Sequence, residues 1–172
     1  MAAHGMGSIM NSSQPAPDWL RELAAARARY QELLGWPVSV QVGQRNLVVE
    51  VGQVLVAIAM PAALGSRVRA QLGISMVSAA PIIGNPDGTR WTFLAKSGSS
   101  IRPAVADSLA ESGVHLAPWG SYVVIPSGLT GSTARVERWI DGPQSNRALP
   151  QACSVVALTR RLTFGQPLEL SA

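Results

Sequence analysis

The sequence predicts a single α+β domain, with a sheet of about six strands packed against helices and one helix ahead of it. Three observations lead there. Residues 38–51 hold two short runs in which apolar and polar side chains alternate, as in a half-buried antiparallel sheet. Residues 53–60, QVLVAIAM, are apolar nearly throughout, which a central strand buried on both faces requires. Apolar residues at helical spacing flank these strand-rich stretches on both sides.

The elements follow in order. Residues 1–17 are small and polar, with Pro15 and Pro17 at the end, and read as a flexible arm or an expression remnant. Residues 18–172 read as one domain. Asp18 is placed to cap a first helix, DWLRELAAARARYQELLG. Its apolar face is expected to hold Trp19, Leu23, Ala26, Tyr30, Leu33 and Leu34, and Gly35 ends it. VSVQV, NLVVEV and QVLVAIAM read as consecutive strands, with GQRN and GQ as tight turns between them. AALGSRVRAQLG reads as a helix. Asn85-Pro86-Asp87-Gly88 is a turn between two strands of a hairpin. PAVADSLAESG reads as a short helix, 121–125 and RWI as strands, and LTGSTARVE as a loop. DGPQSNRA reads as a linker. LPQACSVVALTRRL closes the domain as a helix with Pro150 in its first turn.

Composition narrows the function. The chain has 172 residues, 47% hydrophobic and 14% charged, which excludes a disordered chain. No apolar run is long enough to span a bilayer, and the opening residues lack a cationic region followed by an apolar one. A cytoplasmic protein is expected, with no membrane partner. The single cysteine, Cys153, excludes an internal disulfide and a zinc cluster, and its helical setting predicts a buried thiol. The net charge of +4 permits an anionic partner without requiring one. The arginine-rich, lysine-poor balance fits a GC-rich genome. No G-x-S-x-G elbow or P-loop pattern is present, and the stretch Gly98 to Arg102 reads as a plain loop. His115 is the only histidine outside the arm, and an enzyme of unrelated chemistry centred on it or on Cys153 is a third, weaker option.

Three stretches then form an ordered set: VLVAIAMPAALGSRVRAQLG, NPDGTRWTFLAKSG and LAPWGSYVVIPSGLTGSTARVERWI. With the closing helix, they resemble the N-terminal bifunctional DNA primase/polymerase (prim-pol) domain in its small actinobacterial versions. The shared features are Met60-Pro61-Ala62-Ala63-Leu64-Gly65, residues 86–93, and residues 120–127 with Arg138-Trp139. The resemblance spans roughly residues 30–162. It implies an RRM-like palm. In active members, carboxylates on the central strand hold two divalent metals, which clamp the charge of phosphoryl transfer. A histidine motif on the next hairpin meets the nucleotide, and a third acid lies near the GSYVV strand.

This chain departs from the pattern at each of these places. Val56, Ala57 and Ala59 stand where the first acids would be. The hairpin RWTFLA has no histidine, and GVHLAPW has no acid. Glu50 is the only carboxylate near the central strands. No catalytic residue, metal or cofactor is therefore expected. The expected role is an inactive prim-pol-like protein-interaction or regulatory subunit, bound to a protein partner or to itself. The apolar second strand pair, and Trp19 and Leu20 at the start of the first helix, offer surfaces for that. The alternative is an accessory protein of replication or repair that binds single-stranded nucleic acid. Arg90, Arg102, Arg135 and Arg138 would meet phosphates, and the loop-borne Trp119 would stack on a base. Trp91 and Trp139 are expected in the core. A primase with an atypical metal site is the weaker alternative.

Overall fold

The computed structural model describes residues 16–74, 80–98, 100–127 and 137–165. Most of the expected N-terminal arm lies outside them. Helix α1 covers Asp18–Leu34 and ends at Gly35, whose φ of 65° is the left-handed conformation that glycine adopts without strain. Asp18 is not its cap. Pro17 holds that position, and Asp18 stands in the first turn paired with Arg21. Leu23 and Ala26 are buried, and Trp19, Tyr30 and Leu34 pack beside them. Leu33 points away, 62% exposed. The start of α1 is not an open apolar surface either, because the Arg45 guanidinium lies 5.0 Å over the Trp19 ring.

The strands form two antiparallel sheets rather than one. The smaller contains β1 (Val38–Gln41), β2 (Asn46–Glu50) and β7 (Tyr122–Ile125), in the order β1-β2-β7. The larger contains β3 (Leu55–Pro61), β4 (Ile82–Gly84), β5 (Arg90–Lys96), β6 (His115–Leu116) and β8 (Arg138–Asp141). Its order is β6-β3-β5-β4-β8. The expected tight turn at Gly52-Gln53 therefore joins two sheets instead of two paired strands. The Val51 N–H donates to Ser121 O, and the Gly120 N–H to Val51 O, so β2 finds its partner some 70 residues away. Gly52 N–H then donates to Leu55 O and turns the chain into β3.

The Asn85–Gly88 turn forms as expected. Asn85 and Gly88 close a backbone hydrogen bond, Gly88 takes φ 75°, and the Asp87 carboxylate accepts from the Thr89 N–H at 2.9 Å. Three more helices complete the fold: α2 (Ala62–Ile74), α3 (Pro103–Glu111) and α4 (Ala152–Phe164). Pro150 precedes α4 rather than sitting in its first turn, and its carbonyl accepts the Lys96 N–H at 2.7 Å.

Two cores lie on the two faces of the larger sheet. Ile58, Met60, Ile82 and Phe93 face α2, α3 and α4, where they meet Val68, Leu109 and Val155. Leu55, Ala57, Ile83 and Leu94 face the smaller sheet and α1. Trp91 is packed on the helix side, against Gly65 of α2, where a Cβ would come within 3.0 Å of its ring. The apolar β4-β5 pair is interior, so it offers no surface for self-association.

The second core is tied by one hydroxyl. Tyr30 donates to Pro126 O at 2.6 Å and accepts from Trp139 Nε1 at 3.0 Å. Tyr30→Phe leaves a carbonyl and an indole N–H without partners, so it is expected to cost about 1–3 kcal/mol. A lowered urea midpoint at unchanged slope would show this. Burial pushes the Tyr30 phenol up from its ordinary value. The folded protein thus keeps a proton that the unfolded chain loses near pH ~10. That stability is present below this pH and falls as pH rises through the folded value. Denaturation between pH ~9 and ~11 should show a fall in wild type that is smaller in Tyr30→Phe.

Candidate functional site

Strand β3, which carries Val56, Ala57 and Ala59, is apolar and packed. Val56 faces the helices. Ala57 is 1% exposed, between the sheets. Ala59 is half-buried and lies between Thr92 on β5 and His115 on β6. Glu50 stands on the smaller sheet, exposed, opposite Tyr122. Among the described residues, no three His, Cys, Asp or Glu side chains come together as a metal site.

The candidate arginines do not share one face. Arg90 and Arg138 flank the 85–89 turn. The Arg90 guanidinium donates to Gly113 O at 3.0 Å, past the end of α3. The Arg138 stem runs beside Gly84, and its guanidinium approaches Gly88. Strand alternation separates the two. Arg90 pairs with Pro61 on the face that holds Ala57 and Leu94, whereas Arg138 shares the opposite face with Ile140. Arg102 caps the far end of α3, exposed. Trp119 is 66% exposed, on the turn after β6, and its ring lies 3.8 Å from where a Gly52 Cβ would be. That is the Leu55 end of β3, while Arg90 is at the Pro61 end, about 20 Å away along the strand. Arg135 lies outside the described residues, as do Gly128 and Gly131 of its loop.

Trp139 is in the second core, with its ring centroid 6.4 Å from Tyr30 and 6.5 Å from Trp36. His115 is exposed at the sheet edge. Cys153 is exposed, against the expectation of a buried thiol. Helix α4 turns Ala152, Val155, Val156 and Leu158 inward, and position 153 falls on the other side.

A site that the sequence left unmarked is a cleft of about 530 Å³. It opens between the C-terminal ends of α1 and α2, the start of β4 and the 142–149 segment. Leu34, Trp36, Leu72, Ile82 and Leu149 give it apolar walls. Arg69, Lys96, Arg147 and Asp141 supply its charge. Arg69 and Asp141 form a two-pronged pair at 2.5 and 2.7 Å, joining α2 to β8. The segment read as a linker thus forms one wall. The signals available were the lone lysine at the end of β5 and the apolar Pro143 and Leu149 within that segment.

Comparison of the chain with protein-family models, with curated proteins and with solved structures finds no match. No helix among the described residues is long and apolar enough to cross a membrane.

The placement of Cys153 is directly testable. In the folded protein, one thiol per chain should react with a thiol-specific chromogenic disulfide as fast as after unfolding in urea, to within about tenfold. Reaction only on unfolding would restore the buried assignment.

Proposed function

We propose that this chain is a catalytically inactive prim-pol-like domain that acts as a protein-interaction or regulatory subunit. The carrying observation is the state of β3. Its acid positions are Val56, Ala57 and Ala59, and Ala57 is sealed beneath the smaller sheet. The succession β3-α2-β4-β5-α3-β6 supports an RRM-like palm, since its first and third strands lie in the middle and its helices cover one face. The face such a palm uses for substrate is here occupied over its Leu55–Ala57 half by the smaller sheet and α1. Phosphoryl transfer by two hard cations has no carboxylates to work with on that strand.

What remains outside is suited to a partner. Trp119 is 66% exposed and Tyr122 56%, three residues apart, and Tyr122 begins the edge strand β7. Large apolar side chains beside an unpaired strand edge suit protein recognition. The pure protein is expected to incorporate no nucleotide on a primed template with Mg²⁺ or Mn²⁺. In its native host, it should retain a partner after nuclease treatment, and Trp119→Ala/Tyr122→Ser should lose it. Metal-dependent incorporation would restore the polymerase reading.

The exposed Trp119 also favours a second reading, as a stacking platform for single-stranded nucleic acid at the end of the sheet where Arg102 lies. In that case Trp119→Ala costs on the order of 1–3 kcal/mol in a single-strand titration. Arg102→Ala then lowers the salt slope by roughly one. Absence of binding near physiological salt removes this reading and leaves the first.

A further inference from the structure

We propose that the cleft beside the 142–149 segment binds a small amphipathic anion, an apolar ring or branched chain carrying one carboxylate or phosphate group. The size fits. About 530 Å³ lies within the range of roughly 300–1,000 Å³ that small-molecule sites occupy. The walls are a rigid apolar surface, because they are the places where both cores reach the outside. Leu72 and Ile82 belong to the helix-side core, and Trp36 to the core between the sheets.

The charge selects an anion. Arg69 is matched by Asp141 through both prongs of its guanidinium, so that pair contributes little net field. Lys96 and Arg147 have no carboxylate within ion-pair distance among the described residues. Two unmatched cations beside an apolar wall favour a ligand with one charged end and one greasy end. Their backbones are fixed before any ligand arrives. The Lys96 N–H is bonded to Pro150 O at 2.7 Å, and the Arg147 N–H closes a turn on Gln144 O at 3.1 Å. Pre-set cations lower the ordering cost of binding.

The inference stands apart from the interaction-subunit reading, and each can fail without the other. The test is isothermal titration of the full chain at low salt with 2-naphthoate, 2-naphthyl phosphate and neutral 2-naphthol. At least one anion is expected to bind roughly tenfold or more tightly than the alcohol, and to weaken as salt rises. Whichever anion binds tighter sets the ligand class. Lys96→Ala/Arg147→Ala should bring the anion down to the affinity of the alcohol without changing the urea midpoint. Ala148→Trp, at an exposed position on the cleft wall, should block all three probes. Equal affinity for alcohol and anions, an unchanged double variant, or no binding at millimolar concentration overturns the proposal.

Discussion

Strand β3 must be covered on both faces, and the rest of the molecule is arranged around that requirement. Ile58 and Met60 point to the helices while Leu55 and Ala57 point to the smaller sheet, all of them essentially inaccessible. A strand of this kind needs a packed layer on each side. The chain therefore breaks at Gly52 and enters a second sheet, which takes helices on one side and the smaller sheet on the other. The same burial decides the chemistry. A carboxylate at position 57 would sit against Leu55, Leu94 and Ile83 with no cation near, and an unpaired charge there costs several kcal/mol, about the whole stability of a marginal domain. An apolar residue at position 57 and closure of the second core are two sides of one arrangement.

That closure depends on Tyr30. Its ring stacks on Trp36 with an interplanar angle of 4°, and its hydroxyl joins the end of β7 to β8. One side chain from α1 thereby holds both sheets. It also engages Trp139, which lies on the face of the larger sheet away from the helices. Its indole N–H is donated and its ring lies against two aromatics. Trp119 is the tryptophan that stays mostly outside, and it does so at the end of the sheet, not on its face.

The parts legible in the sequence are those governed by neighbouring residues. Gly35 ends α1 because of its own backbone freedom, and Asn85 to Gly88 turn because Asp87 and Gly88 supply the local bond and the positive φ. The division into two sheets was not legible, because it depends on Val51 meeting Ser121 and Leu47 meeting Ile125 across the chain. Cys153 was misplaced because helical periodicity gives a stripe, and a residue next to Ala152 lies 100° round the axis from it. The cleft was hidden for a related reason. Its walls come from well-separated stretches, and the one contiguous stretch, 142–149, has a linker's composition.

Several of the arginines are committed to the fold itself. The chain carries a net charge of +4, and five of its cations are engaged within the fold. Arg21 meets Asp18, Arg69 meets Asp141, and Arg45 covers Trp19. Arg67 donates to Leu162 O, and Arg90 to Gly113 O. A guanidinium holding a carbonyl keeps its charge, but it cannot turn toward a phosphate without giving up that bond. Of the remaining cations, Arg102 stands at one end of α3, Arg138 at the opposite end of the larger sheet, and Lys96 and Arg147 line the cleft. A strand of nucleic acid gains affinity by neutralising several phosphates along one track, and Arg102 and Arg138, at opposite ends of the sheet, do not form one by themselves. A single anionic group asks less of the fold, and Lys96 and Arg147 both line the cleft proposed to take one.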